Sequence, residues 1–180
     1  ASYADAGVDI DEGTRAVAEM KAAVESTHDV GSGRGVLRGV GSFGGVFSAA
    51  AITELDDPVL VASTDGVGTK LKIAQMTGVH NTVGIDLVAM SVNDAICCGA
   101  EPLFFLDYVA ANTIDVEQVA ELIEGAADVC RAAGCAILGG ETAELPGIYR
   151  ESEIDFCGTA VGVVERDRLV DGSRVEAGDV

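Results

Sequence analysis

A chain of 180 residues with 48% hydrophobic content can bury one full core without metal or disulfide staples, and is too apolar to be generally disordered. Its formal net charge of −19, with only three lysines, excludes the basic stripes that nucleic acid or an anionic membrane demands. Abundant acid with scarce lysine points instead to a solvated acidic surface in a high-salt cytoplasm, where counterions screen the self-repulsion.

Residues 1–11 read as a polar lead-in. The spacing of Val17, Met20 and Val24 predicts a helix from about Glu12 to Thr27. Gly31 to Gly45 is Gly-rich. Within it, Gly39-Val40-Gly41-Ser42-Phe43-Gly44 has the Gly-x-Gly-x-x-Gly spacing, but no strand precedes it and no helix follows. A dinucleotide fingerprint is therefore rejected. A flap over phosphates with Arg34 and Arg38 as cations, or a plain loop, remains. Val46 to Ile52 is a predicted strand, Asp56-Asp57-Pro58 a turn, and Val59 to Ala62 a short buried strand.

Lys70 to Met76 is predicted helical, ending near Gly78. A second helix runs from about Leu87 to Cys98, with Asp86 as its N-cap, and Gly99 to Pro102 stops it. Leu103 to Ala110 is a strand, apolar on both faces apart from Asp107. Val116 to Ala133 is a long helix, with Asp115 as N-cap, Gln118 completing a capping box and Gly134 at C′. Cys135 to Leu138 is a buried strand leading into Gly139-Gly140-Glu141, and Ile154 to Val164 is the last strand. Residues 1–165 form one expected domain. Residues 166–180, polar and rich in turn signals, read as a linker toward a further C-terminal domain. Strands and helices mixed in this order predict an α+β fold, a four- to five-stranded mixed sheet packed against helices.

Five cysteines, two of them the adjacent Cys97 and Cys98, make a poor disulfide framework. There is no Cys-x-x-Cys and there are only two histidines, so a zinc site is not indicated. The cysteines are expected to be buried, reduced and small-hydrophobic in role. The absence of a signal-peptide pattern and of an 18-residue apolar run predicts a soluble intracellular protein.

Three acid-bearing segments carry the chemistry. In Thr64-Asp65-Gly66-Val67-Gly68-Thr69-Lys70 a strand enters a glycine-containing loop and then a helix. Glycines let backbone amides approach an anion, the helix terminus adds a positive dipole, Thr69 offers a hydroxyl and Lys70 a point charge. Asp65 can hold a hard cation. A Walker A loop is excluded, because the chain has no Gly-Lys dipeptide. Asn93-Asp94 sits inside an apolar helix, where an aspartate needs a cation or an arginine as partner, and the metal is favoured. Glu141 follows a buried strand, as Asp65 does, and their convergence would call for Mg²⁺. A plain capped strand–loop–helix joint remains the alternative for Asp65, and a loop cap for Glu141-Thr142. Asp107 either binds substrate or pairs internally. His80 reads as a loop residue, and no Ser-His-Asp or Cys-His set is present.

Tyr3 to Ile10, Thr64 to Leu71, Gly84 to Met90, Asn93-Asp94, Gly99 to Tyr108 and Gly139 to Gly147 together resemble the phosphoribosylformylglycinamidine cyclo-ligase family, also called aminoimidazole ribonucleotide synthetase, over nearly the whole chain. The resemblance implies ATP-dependent ring closure of formylglycinamidine ribonucleotide in purine biosynthesis. ATP would phosphorylate the formyl-derived amide oxygen, an amidine nitrogen would attack, and phosphate would leave. It implies Mg²⁺ ligands at Asp65 and Asp94, which Glu141 joins on the convergence of the three acids, and Asp94 and Lys70 are the expected catalytic residues. Nucleotide contacts would come from Asp65, Gly66, Gly68, Thr69, Lys70, Glu141 and Thr142, and from the flap glycines Gly41, Gly44 and Gly45 with Phe43. It also implies a homodimer in which two sheets close into a barrel, and a second domain that completes the cleft. The flap, Gly35 to Gly45, has fewer glycine pairs than the family pattern. Other ATP-using members of the superfamily, a non-catalytic nucleotide-binding module and a metal-dependent phosphohydrolase are the competing readings.

Overall fold

The structure, a computed structural model, describes residues 3–31, 35–41, 43–50 and 52–179. Arg34 and Ser42 of the expected flap lie outside the described residues.

The first helix, α1 (Ile10–Glu25), begins two residues before Glu12. The Asp9 carboxylate accepts the amides of Asp11 and Glu12 and so caps it there. Its buried stripe is Ala16, Met20 and Val24. Strands β1 (Val36–Arg38) and β2 (Val46–Phe47) form a short antiparallel ribbon around the Gly-rich segment. The strand expected to reach Ile52 stops at Phe47. The Ser48 hydroxyl accepts the Ala50 amide, and the Ala49 carbonyl accepts the amides of Ile52 and Thr53, which turns the chain into a 3₁₀ segment at Ile52–Glu54.

Strand β3 (Pro58–Gly66) leads to α2 (Lys70–Thr77), which ends at Gly78 with φ 67°. Helix α3 (Asn81–Cys97) starts well before Leu87. Asp86 is therefore inside the helix and not its cap. His80 holds the N-cap position: it is buried, with Nδ1 3.3 Å from Glu121 Oε2 and Nε2 2.8 Å from Gln118 Nε2. It is a packed junction residue rather than a loop residue. Strand β4 (Glu101–Ala111) is followed by α4 (Val116–Ala133), β5 (Ala136–Glu144) and β6 (Ile154–Glu165). Asp115 caps α4 by accepting the Gln118 amide, and Gly134 closes it at φ 70°. Only half of the capping box forms, because the Gln118 side chain goes to His80.

The sheet order is β3-β6-β4-β5. β6 runs antiparallel to both neighbours, and β5 lies parallel to β4 through the crossover helix α4. The fold is thus a mixed α+β arrangement with four α-helices and a four-stranded main sheet among the described residues. One face of the sheet, with Phe105, Val109, Phe156 and Ile137, packs against Leu87, Leu122 and Ile123 of the helices, all fully buried. Helices α3 and α4 approach so closely that a Cβ at Gly84 would overlap the Leu122 carbonyl, and one at Gly125 the Asn81 carbonyl. The opposite face is largely uncovered. The strand expected to be buried at Val59 to Ala62 alternates instead, and Leu60 is 61% exposed. Leu106 is also exposed, while Phe104 is half-buried against Phe47, ring centres 5.2 Å apart.

Of the five free cysteines, Cys130 and Cys135 are buried in the core as expected. Cys98 and Cys157 are only partly covered, and Cys97 is exposed, which corrects the expectation of burial for all five.

Candidate nucleotide site

The sequence-predicted residues fall into two groups. The first is built by β3, the start of α2 and one face of α3. Ser63 and Asp65 point to the same side of β3. The Ser63 hydroxyl donates to Asp94 Oδ2 at 2.7 Å, which brings α3 alongside. Asp94 is exposed, so burial does not explain why an acid is needed there. Its partner is a serine, and its remaining lone pairs face solvent. Among the described residues Asp65 accepts the adjoining Gly66 amide, at 2.8 Å, and no other donor.

Lys70 forms an ion pair with Asp86 Oδ2, an oxygen that makes no other hydrogen bond, and Lys70 Nζ also lies 3.4 Å from Met90 Sδ. Asp86, Met90 and Asp94 are spaced four apart on α3, so one stripe of that helix faces the loop. Within the loop Gly68 has φ 68°, a conformation that favours glycine. Val67 is buried and its amide donates to the Phe156 carbonyl at 2.9 Å, pinning the turn. The amides of Gly68, Thr69 and Lys70 make no backbone hydrogen bond among the described residues. Thr69 makes no capping bond. Free amides at a helix start beside an ammonium suit a phosphate.

The second group lies at the other edge of the sheet. Gly41, Phe43, Gly44, Gly45, Asp107, Gly140, Glu141 and Thr142 line one cavity of about 810 Å³ with the length of α1, from Ile10 to Val24. Asp107 is nearly fully buried. Burial pushes its carboxyl up to about 7, the nearby Glu141 charge adds to this, and its own backbone amide opposes it.

The predicted triad of metal ligands does not assemble within one chain. Gly66 and Glu141 stand in one register row through Cys157 and Tyr108. They are three strand spacings apart, about 14 Å. Among the described residues no group of three or more acids, histidines or cysteines is placed to hold a metal ion. Both acids also lie within strands rather than just beyond them. Sequence reasoning missed Asp86 as the partner of Lys70; its spacing of eight from Asp94 was the available signal. It also missed the wall supplied by α1.

A family model described as AIR synthase related protein, N-terminal domain, matches residues 47–164. The chain belongs to this family. Curated proteins named phosphoribosylformylglycinamidine cyclo-ligase are 54% identical in Syntrophus aciditrophicus and 56% identical in Anaeromyxobacter dehalogenans. Each alignment covers 99% of this chain and 50% of the relative, so the chain spans about half the length of the relatives it matches. Solved structures share the fold of this AIR synthase related domain. A thiamine-monophosphate kinase from Stenotrophomonas maltophilia superposes with a TM-score of 0.57 at 18% identity, over 75% of this chain and 39% of that one. A hydrogenase maturation protein HypE in complex with ATP gives 0.51 at 20% identity, over 66% and 34%.

No α-helix among the described residues is long and apolar enough to cross a membrane.

Proposed function

We propose that this AIR synthase related domain forms part of a cytoplasmic enzyme that uses ATP to cyclise formylglycinamidine ribonucleotide to aminoimidazole ribonucleotide in purine biosynthesis. The observation that carries the reading is the 54% identity to a named cyclo-ligase across 99% of the chain.

The phosphates of ATP would lie over the amides of Gly68, Thr69 and Lys70, with Gly66 allowing close approach and Lys70 exchanging Asp86 for a phosphate oxygen. Asp65 and Asp94 would hold Mg²⁺. The donors fit that ion: two hard carboxylates on facing elements, partly free of other partners, with phosphate and water completing the shell. The cation would neutralise charge on the phosphates. Asp94 and Lys70 would then act on the reacting phosphoryl group by position and charge, the usual protein share in phosphoryl transfer. Glu141 and Thr142, with Gly41, Gly44 and Gly45, would serve the second cavity, and Glu141 would reach a cation only through a ligand or a second chain.

The uncovered sheet face, with Leu60, Leu106 and Phe104, supports a homodimer in which two such faces close on each other. The net charge of −19 supports a high-salt interior.

Incubating the full-length protein with ATP, Mg²⁺ and formylglycinamidine ribonucleotide tests the reading. Stoichiometric phosphate and aminoimidazole ribonucleotide are expected. Phosphate without the cyclised product, or no turnover at all, would overturn it.

A further inference from the structure

The cavity between α1, the Gly-rich ribbon and β5 has an unusual balance of charge. Its lining includes Asp9, Asp107, Glu141 and Glu144, and no lysine, arginine or histidine among the described residues. Two of the four acids are already committed. Asp9 caps α1, and Glu144 accepts the amides of Asp9 and Ile114 at 2.5 and 2.9 Å. Asp107 is different. It is 8% exposed, on the central region of β4, and no cation or side-chain donor meets it among the described residues. Its carboxyl occupies the space a side chain at position 140 would need: a Cβ on Gly140 would overlap Oδ1 and lie 2.5 Å from Cγ. The backbone of β5 therefore leaves this acid its place at the cavity wall.

A carboxylate taken out of water costs several kcal/mol unless paired. A described lining that provides the acid and no partner is complementary to a ligand that brings one. A bare phosphate is repelled by such a lining. A chelated metal ion needs several free oxygens converging on it, whereas Asp9 and Glu144 of this lining already accept backbone amides. A planar cation with paired N–H donors matches a carboxylate through two parallel hydrogen bonds.

We propose that this cavity is the subsite for an amidinium group, with Asp107 as its counter-ion. On the cyclo-ligase reading, on which the identity of the ligand rests, this is the amidine end of the ribonucleotide. The two acid groups of the domain then divide the labour. The Asp65–Asp94 side takes the phosphates of ATP, and the Asp107 side takes the positive end of the acceptor. Asp107 accepts N–H from the amidinium and positions it, and Glu141 at the mouth adds a second negative charge.

Amide-resolved NMR titration of the chain with acetamidinium, acetamide, methyl riboside and Mg²⁺ tests the assignment. Acetamidinium should give saturable shifts at Asp107, Gly139 and Gly140, with acetamide at least tenfold weaker and methyl riboside without effect there. Asp107→Asn should lower acetamidinium affinity at least tenfold, and Asp107→Glu should recover part of it. Equal binding of acetamide, tighter binding of the riboside, displacement by Mg²⁺ at the same amides, or unchanged binding by Asp107→Asn would overturn it. The comparison of ligands on the unaltered chain decides the matter even if a variant fails to fold. Turnover without amidinium preference refutes this subsite and leaves the cyclo-ligase reading standing. Amidinium binding without turnover does the reverse.

Discussion

Replacing Asp107 by Asn keeps the shape of the side chain and removes its titration. In the folded chain the carboxyl is raised from 3.8 to about 7, chiefly by burial. The unfolded chain holds fewer protons on this group between those values. Wild-type stability therefore falls as pH rises from about 4, and the loss is complete once pH passes the folded value. At about 1.4 kcal/mol per tenfold change in proton affinity, the raised carboxyl costs about 1.5 kcal/mol at pH 5, where the folded group is protonated, and about 4 kcal/mol at pH 8, where it is ionised. Water entering the cavity lowers both figures, so about half of each is a reasonable floor. The Asn variant escapes this cost. Urea unfolding of both proteins at pH 5 and pH 8, with equal slopes, should show the advantage of the variant growing by about 1–3 kcal/mol. A difference that is the same at both pH values would refute burial of an unpaired acid. Greater stability with loss of amidinium binding is the pattern expected where a binding group is held at the expense of the fold.

Gly84→Ala should cost about 1–3 kcal/mol by forcing α3 from the Leu122 carbonyl, seen as a drop of several degrees in Tm. Asp94→Asn should weaken Mg²⁺-ATP binding at least tenfold by calorimetry while leaving Tm within a few degrees, because Asp94 is exposed. Leu60→Lys should convert a dimer to a monomer in sedimentation with little effect on the isolated fold, since Leu60 is 61% exposed. Raising KCl from 0.1 to 2 M should raise Tm by screening the net charge of −19; an unchanged Tm would argue against a high-salt setting.

Long elements with strong caps were legible from the residues alone. Helix α4 has the expected bounds because Asp115 and Gly134 mark both ends chemically. Helix α3 was misplaced at its start because Asp86 has the residue type of a cap, whereas its carboxylate is spent on Lys70 across the site. The two-residue β2 was overextended because hydrophobicity reports burial, not the local hydrogen bonds of Ser48. The site divided in the same way. Asp65, Lys70 and Asp94 lie on β3, at the start of α2 and on α3, with Ser63 bonded to Asp94 and Lys70 paired with Asp86, as the succession of strand, loop and helix suggests. Glu141 does not join them, since strand order in a sheet depends on long-range pairing that no local pattern encodes. Asp107 could be recognised as an acid in an apolar strand, but its cavity depends on α1, far away in sequence.

Strand β6 has a consequence for how the chain reaches this state. It is the last of the strands among the described residues, yet it lies between β3 and β4, pairing Pro58 with Glu165 at one end and Ala111 with Ile154 at the other. Until it is made, β3 has no neighbour in the main sheet, and β4 and β5 form a two-stranded fragment with an open edge. Such late, long-range pairing slows folding and leaves apolar strand surface exposed in the meantime. On the ribosome, the helices and the β4–α4–β5 unit emerge first and wait. The main sheet closes only when residues 154–165 clear the exit tunnel, so a pause or a lesion in that short stretch strands a chain whose 66–70 loop lacks the Phe156 carbonyl that pins it.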